Sequence, residues 1–272
     1  MQIGNSNAIT NGANLSVIGW SNRACTSDST VIGTCSCSCC GAGNITIGCC
    51  SYANNLYGDS DTSFGSVVIG NCSKAEGRTG VAIGTCVTVC QGGRGVAIGT
   101  FSHATDNGVA IGSENQSGGN AIAIGCYNLP RGARSIGIGS INEACSGSLD
   151  IAMYGQYNTI FGTCCSQTIG ICNRICSDFS VAVGQTNLIC TSSASSGTFG
   201  RCNTICNPGA FAIGCGITSV VANHVHLPNL FFTAATGPYA SDACFYAAGG
   251  TAGQAYLLCV GSDSYLTIGG YN

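Results

Sequence analysis

The sequence predicts an all-β protein: a parallel β-solenoid, or β-roll, of about fifteen rungs of 14–15 residues, followed by a small C-terminal β module. Three observations predict it. A glycine-terminated unit recurs at a nearly fixed period, apolar residues alternate inside each unit, and charge is scarce throughout the chain.

The period comes first. Val81, Ala82, Ile83 and Gly84 return almost unchanged as Val96 to Gly99 and as Val109 to Gly112. With the glycine as origin, the series is Gly4, Gly19, Gly33, Gly48, Gly70, Gly84, Gly99, Gly112, Gly125, Gly139, Gly155, Gly170, Gly184, Gly200 and Gly214. Thirteen of its fourteen gaps lie between 13 and 16 residues, and one is 22. Self-similarity at such a period marks stacked repeats, each burying its apolar face against the next. A disordered Gly/Ser tract does not hold an apolar column in register over fifteen copies.

The columns give the strands. The residue before the glycine is nearly always Ile, and the residue three before it is usually β-branched or aromatic. Alternation with period two argues strand rather than helix. Between them lies a small or uncharged residue, as in Ala82, Ala97, Ala110, Ala123 and Ala182. No rung places a charge there, so both faces of this strand are expected to be buried. A second short strand follows. Asn or Ser stands three past the glycine in most rungs, and a small or apolar residue stands five past it. The position between them admits Arg23, Lys74, His103, Glu143 and Arg174, so this strand has one inward and one wet face. Glycine suits the corner because it reaches positive φ without steric cost. Stacked Asn amides can hydrogen-bond along the rod. Fifteen rungs at ~4.8 Å give a rod of roughly 70 Å.

Composition narrows the function classes. Charged residues make up 7% of the chain, and Lys plus Arg total 8 for a net charge of −3. So few cations cannot neutralise a phosphate backbone, which excludes nucleic acid as a partner. No run of ~18 apolar residues predicts a helix in a bilayer, so no membrane insertion is expected. The first residues carry no basic and apolar leader pattern. Either a leader has been removed, or the protein reaches its destination by assembly or lysis, as a virion component would.

The Val-Ala-Ile-Gly unit with its small polar followers resembles the head repeats of trimeric autotransporter adhesins, the YadA-like left-handed parallel β-roll, over residues 3–217. Similar repeats are found in virus and phage fibres. The resemblance implies a homotrimer in which each roll packs one face against the axis. The chargeless column of Ala82, Ala97, Ala110, Ala123 and Ala182 fits that face, and is the expected trimer interface. No signal peptide, coiled-coil stalk or barrel anchor of those adhesins is visible, which favours a virion or fibre subunit.

The 22 cysteines fall into repeat columns, and their even count suggests pairing in an oxidising environment. Two past the glycine lie Cys35, Cys50, Cys72 and Cys86; six past it lie Cys25, Cys39, Cys176, Cys190 and Cys206. Neighbouring rungs put Cα atoms about 4.8 Å apart, within reach of a disulfide if the rungs twist. Bridges Cys35–Cys50, Cys72–Cys86 and Cys176–Cys190 are therefore expected, each closing a loop of about 14 residues for roughly 3 kcal/mol. The alternative is buried small thiols. A metal cluster over residues 35–40 is a weaker reading, since the spacing is not that of zinc ligands.

Two places break the pattern. The long gap holds an insertion over residues 56–64, and the repeat stops near Thr218. This divides the chain into a repeat domain, 1–218, and a cap or tip module, 219–272, whose last strand is expected near 265–268. At the junction, His224 and His226 share one strand face. In a trimer, as some phage fibres arrange it, three copies would offer six imidazoles for iron or another transition metal. No other cofactor is expected. The acidic residues are not paired, and Gly137, Ile138 and Gly139 form a repeat corner rather than a phosphate loop.

The sequence thus points to a non-enzymatic, trimeric fibre or adhesin-type protein outside the cell, on a virion or an appendage, attaching to a host surface protein or glycan. The competing expectation is a filament or coat subunit that polymerises end to end through its first rung. Ice binding would need a repeating Thr-x-Thr array, and none is present.

Overall fold

Fifteen glycines, all with positive φ between 106° and 141°, set the outline of the molecule. The computed structural model describes residues 1–10, 12–54, 65–76, 79–90, 94–145, 147–162, 164–219 and 221–227, together with the backbone of three later strands. The insertion at 56–64 lies outside the described residues.

Each glycine closes a strand of the long sheet. The fifteen strands run from Gln2–Asn5 to Phe211–Cys215, and Val225–His226 adds a sixteenth. All pairs are parallel and in register, so that Val81, Ala82, Ile83 and Gly84 face Val96, Ala97, Ile98 and Gly99. The glycine is required by the stacking itself. A Cβ on Gly125 would run into the carbonyl of Gly139, and the same holds from rung to rung. Two residues on, the chain turns through a left-handed residue in every rung, from Ser6 (φ 56°) to Cys202 (φ 55°) and Gly216 (φ 68°). A strand of mostly two residues follows. These short strands form an eight-stranded sheet ending at Gln116–Ser117 and a six-stranded sheet beginning at Leu129–Pro130. The result is a parallel β-solenoid of about 14 turns without a helix among the described residues.

The interior is narrow. Ala82, Ala97, Ala110, Ala123 and Ala182 are fully buried inside the single chain. They are therefore core and not the trimer-facing surface expected from the sequence. Since the alanines point in, period-two alternation sends the branched residues on either side of them outward. Against the alanines lie the inward residues of the short strands. Val68 goes with Ala75 on one rung and Ala82 with Val89 on the next, all at 0% exposure.

The Asn column is a ladder inside one corner. Asn128 donates from Nδ2 to the carbonyls of Ile124 and Gly139, each at 2.9 Å. Asn142, Asn158, Asn173 and Asn187 repeat the arrangement. In earlier rungs Ser36, Ser51, Ser73 and Ser102 hold the same glycine carbonyls through Oγ. Every backbone group at a buried corner needs such a partner.

The roll is one compact unit, Met1–Pro228, and Asn229–Asn272 is another. The roll extends past the glycine repeat because Val225 and His226 pair with Phe211 and Ala212. In the second unit, Cys244–Ala248, Ala255–Val260 and Leu266–Gly269 form an antiparallel three-stranded sheet.

Candidate functional site: the outward columns of the roll

What a solenoid offers a partner is its outward columns. Two of them cover the long sheet, one and three residues before the glycine. They supply thirty positions, among them Ile18, Ile32, Ile83, Ile98, Ile111, Val81, Val96 and Val109, and none is charged. In the isolated chain most are half-buried by their stacked neighbours. Ile45, Tyr154, Ile169, Phe199 and Ile213 are between 38% and 46% exposed. The short-strand face is different. It carries charges that lie over rings, with Lys74 5.8 Å from the Tyr52 centroid and Arg174 4.9 Å from that of Phe161.

The left-handed corner carries a column of thiols. Cys35, Cys50 and Cys72 are exposed, Cys86 is half-buried, and all four hold φ between 52° and 54°. Cys49 Sγ lies 3.6 Å from Cys50 Sγ, and the hydrogen bond to Cys50 pushes the Cys49 thiol pKa up. Partial desolvation, then the nearby Cys86 and Cys50 thiols, raise that of Cys72.

The disulfides of the described residues differ from those expected. Cys190 is bridged to Cys206 on the next rung, rather than to Cys176 on the preceding one. Cys39 is bridged to Cys37 two residues away, on the same side of its strand. Cys25, Cys35, Cys50, Cys72, Cys86 and Cys176 carry free thiols. A corner column in the left-handed conformation aims its Cβ atoms in parallel, which leaves adjacent sulfurs as neighbours rather than as a bonded pair.

The two histidines end the roll. His226 pairs with Ala212, whose side chain is buried, so it continues the inward column at the end of the stack. Its Nε2 lies 3.1 Å from Val221 O, and His224 Nδ1 lies 2.6 Å from Ala222 O. Both rings thus engage carbonyls of their own turn. Among the described residues of the single chain, no group of three or more metal-binding side chains converges.

Two features escaped the sequence reading. A buried serine column, including Ser29, Ser135, Ser166, Ser180 and Ser196, lines the second corner. It bonds between rungs, as in Ser180 N–H to Ser166 Oγ at 3.2 Å. The corner column that holds the thiols also holds Phe101, Glu114, Tyr127, Ile141 and Tyr157 on five successive rungs. Reading that column for all residue types instead of for cysteine alone would have found them.

No protein-family model matches the chain, and no curated protein matches it.

Proposed function

We propose that the chain is a structural fibre or adhesin-type subunit, not an enzyme, which assembles as a homotrimer through the Val/Ile face of its long sheet and works outside the cell on a virion or appendage. One observation carries this reading: thirty outward positions without a charge on one continuous face. At ~4.8 Å per rung and ~3.3 Å per residue, the face measures roughly 70 by 10 Å, on the order of 700 Å². A monomer rarely leaves a contiguous apolar patch of more than a few hundred Å² in water. A standard interface buries about 800 Å² per partner. The likeness of the repeat to YadA-like heads supports three chains over two. The wet, charged short-strand face then points outward, where it is free to meet a host protein or glycan.

The test is the mass of the full chain in solution by native mass spectrometry. A trimer is expected. A monomer at micromolar concentration overturns the reading.

A further inference from the structure

We propose that the groove lined by Phe101, Glu114, Gln116, Tyr127, Leu129 and Ile141 binds a neutral saccharide of two or three rings. The proposal deepens the attachment reading above and rests on it for its biological use.

The first observation is strain without a packing reward. Phe101, Glu114, Tyr127, Ile141 and Tyr157 occupy the left-handed corner with φ between 50° and 56°. Side chains in that region cost of the order of 1–3 kcal/mol each, and a β-branched residue is an outlier there. Other rungs place mostly small residues at the corner, such as Ser6, Ser21, Thr186 and Gly216. The large ones are not core, since Phe101 is 57% exposed, Tyr157 54% and Tyr127 47%. A run of residues that breaks the local preference while staying outside the core marks a functional surface.

The second observation is a seam in the sheet beside it. The eight-stranded sheet ends at Gln116–Ser117 and the six-stranded one begins at Leu129–Pro130. Pro130 has no N–H to give to the rung below. Gln116 N–H still reaches Asn128 O at 2.9 Å, and Gly118 N–H reaches Pro130 O at 3.1 Å. The missing third bond leaves the Gln116 carbonyl without its inter-rung donor, in the same residue whose side chain lines the groove. Gln116 also lines a second cleft, with His103, Thr105 and Arg131.

The chemistry selects the ligand. The groove is open and measures about 730 Å³, within the range of small-molecule sites, ~300–1,000 Å³. Aromatic rings offer a face to the C–H side of a sugar ring. Hydroxyl groups then need donors and acceptors at the ring's edge. Glu114 accepts and Gln116 does both, while Arg131 donates in the second cleft that Gln116 also lines. Tyr127 Oη donates to Glu114 Oε1 at 2.7 Å, which fixes the ring and leaves Oε2 as an acceptor. An anionic sugar is disfavoured, because Glu114 is the charged residue that lines the groove and Arg131 lies 3.8 Å from Glu143. The groove lies on the corner and the short-strand face, away from the Val/Ile face.

The experiment uses the full chain with maltotriose, cellotriose, chitotriose, lactose and 3′-sialyllactose, followed by saturation-transfer NMR and calorimetry. At least one neutral sugar should bind, and sialyllactose should bind no better than lactose. The double variant F101A/Y127A should weaken binding at least about tenfold, with circular dichroism and oligomeric mass unchanged. The proposal is overturned if none of the neutral sugars binds at millimolar concentration, if the double variant binds as before, or if only a sugar-free protein ligand occupies the groove. A monomeric chain that still binds sugar supports the groove and sinks the fibre reading. A trimer that binds none does the reverse.

Discussion

Asn142 Oδ1 accepts both the backbone N–H of Asn158, at 3.2 Å, and its side-chain Nδ2, at 3.0 Å. Asn142 in turn gives Nδ2 to Asn128 Oδ1 at 2.8 Å and to Gly155 O at 2.9 Å. One side chain therefore ties three consecutive rungs.

Removing it should be costly. Asn142→Ala leaves buried donors and a buried carbonyl unpaired, each worth about 1–3 kcal/mol. Asn142→Ser should cost less, because Ser36, Ser51, Ser73 and Ser102 hold the equivalent carbonyl in other rungs. Denaturant titration of the three chains should rank them Asn, Ser, Ala. Equal stability of the Ser and Ala variants would contradict the ladder.

Gly125→Ala should be worse than its size suggests. The added Cβ meets the Gly139 carbonyl, and φ of 119° suits no L side chain. A loss of about 3 kcal/mol or more is expected from strain and clash together. Ala110→Gly, also in the long sheet, should cost only about 1 kcal/mol for lost burial and backbone freedom.

The two sides of one strand should separate folding from assembly. Ile98→Glu changes an outward residue and should yield folded monomers, seen as unchanged β-rich circular dichroism with one third of the mass by light scattering. Ala97→Glu puts a charge into the closed interior and should unfold or aggregate the chain. If Ala97→Glu stays folded and merely dissociates, the alanine column is the interface after all.

Thiol chemistry should follow position. Cys35, Cys50 and Cys72 should alkylate without denaturant, whereas Cys190 and Cys206 should not until reduced. The Cys72 pKa lies above the ordinary thiol value, so less of it is thiolate at a given pH. Its labelling should lag behind that of a free cysteine peptide at pH 8 and catch up only as pH rises through the raised pKa. Mass spectrometry of the labelled peptides reads both. Equal rates at pH 8 would remove the stacked-thiol environment.

Much of this fold was legible because a solenoid repeats its physics. Fifteen copies average out local exceptions, so the strand, the Gly corner and the Asn ladder could each be read from a column. Direction was not legible. An uncharged Ala column between two Ile/Val columns is consistent with an interface outside or a core inside, and alternation says only that they are opposite. What decides is burial within the single chain: Ala82, Ala97 and Ala110 are fully covered by the chain's own short strands. Disulfide partners were illegible for a related reason. Column and spacing give the distance between Cα atoms but not the Cβ direction, and the left-handed φ at Cys35 and Cys50 fixes that. The groove failed to show because Phe101 and Tyr127 are ordinary residues until their corner conformation is known.

The inter-rung hydrogen bonds have a mechanical consequence. They link residues about one rung apart, as in Cys90 N–H to Ala104 O and Val96 N–H to Gly108 O, and so point along the rod. Pulling on its ends loads these bonds in series, one rung after another, instead of shearing them all at once. Each rung that opens exchanges ~4.8 Å of rod for 14–15 residues of slack, roughly 50 Å at full extension. Such a rod lengthens about tenfold before its backbone goes taut. It would yield first near Pro130, where a bond is already missing, and so dissipate a sudden pull along its axis.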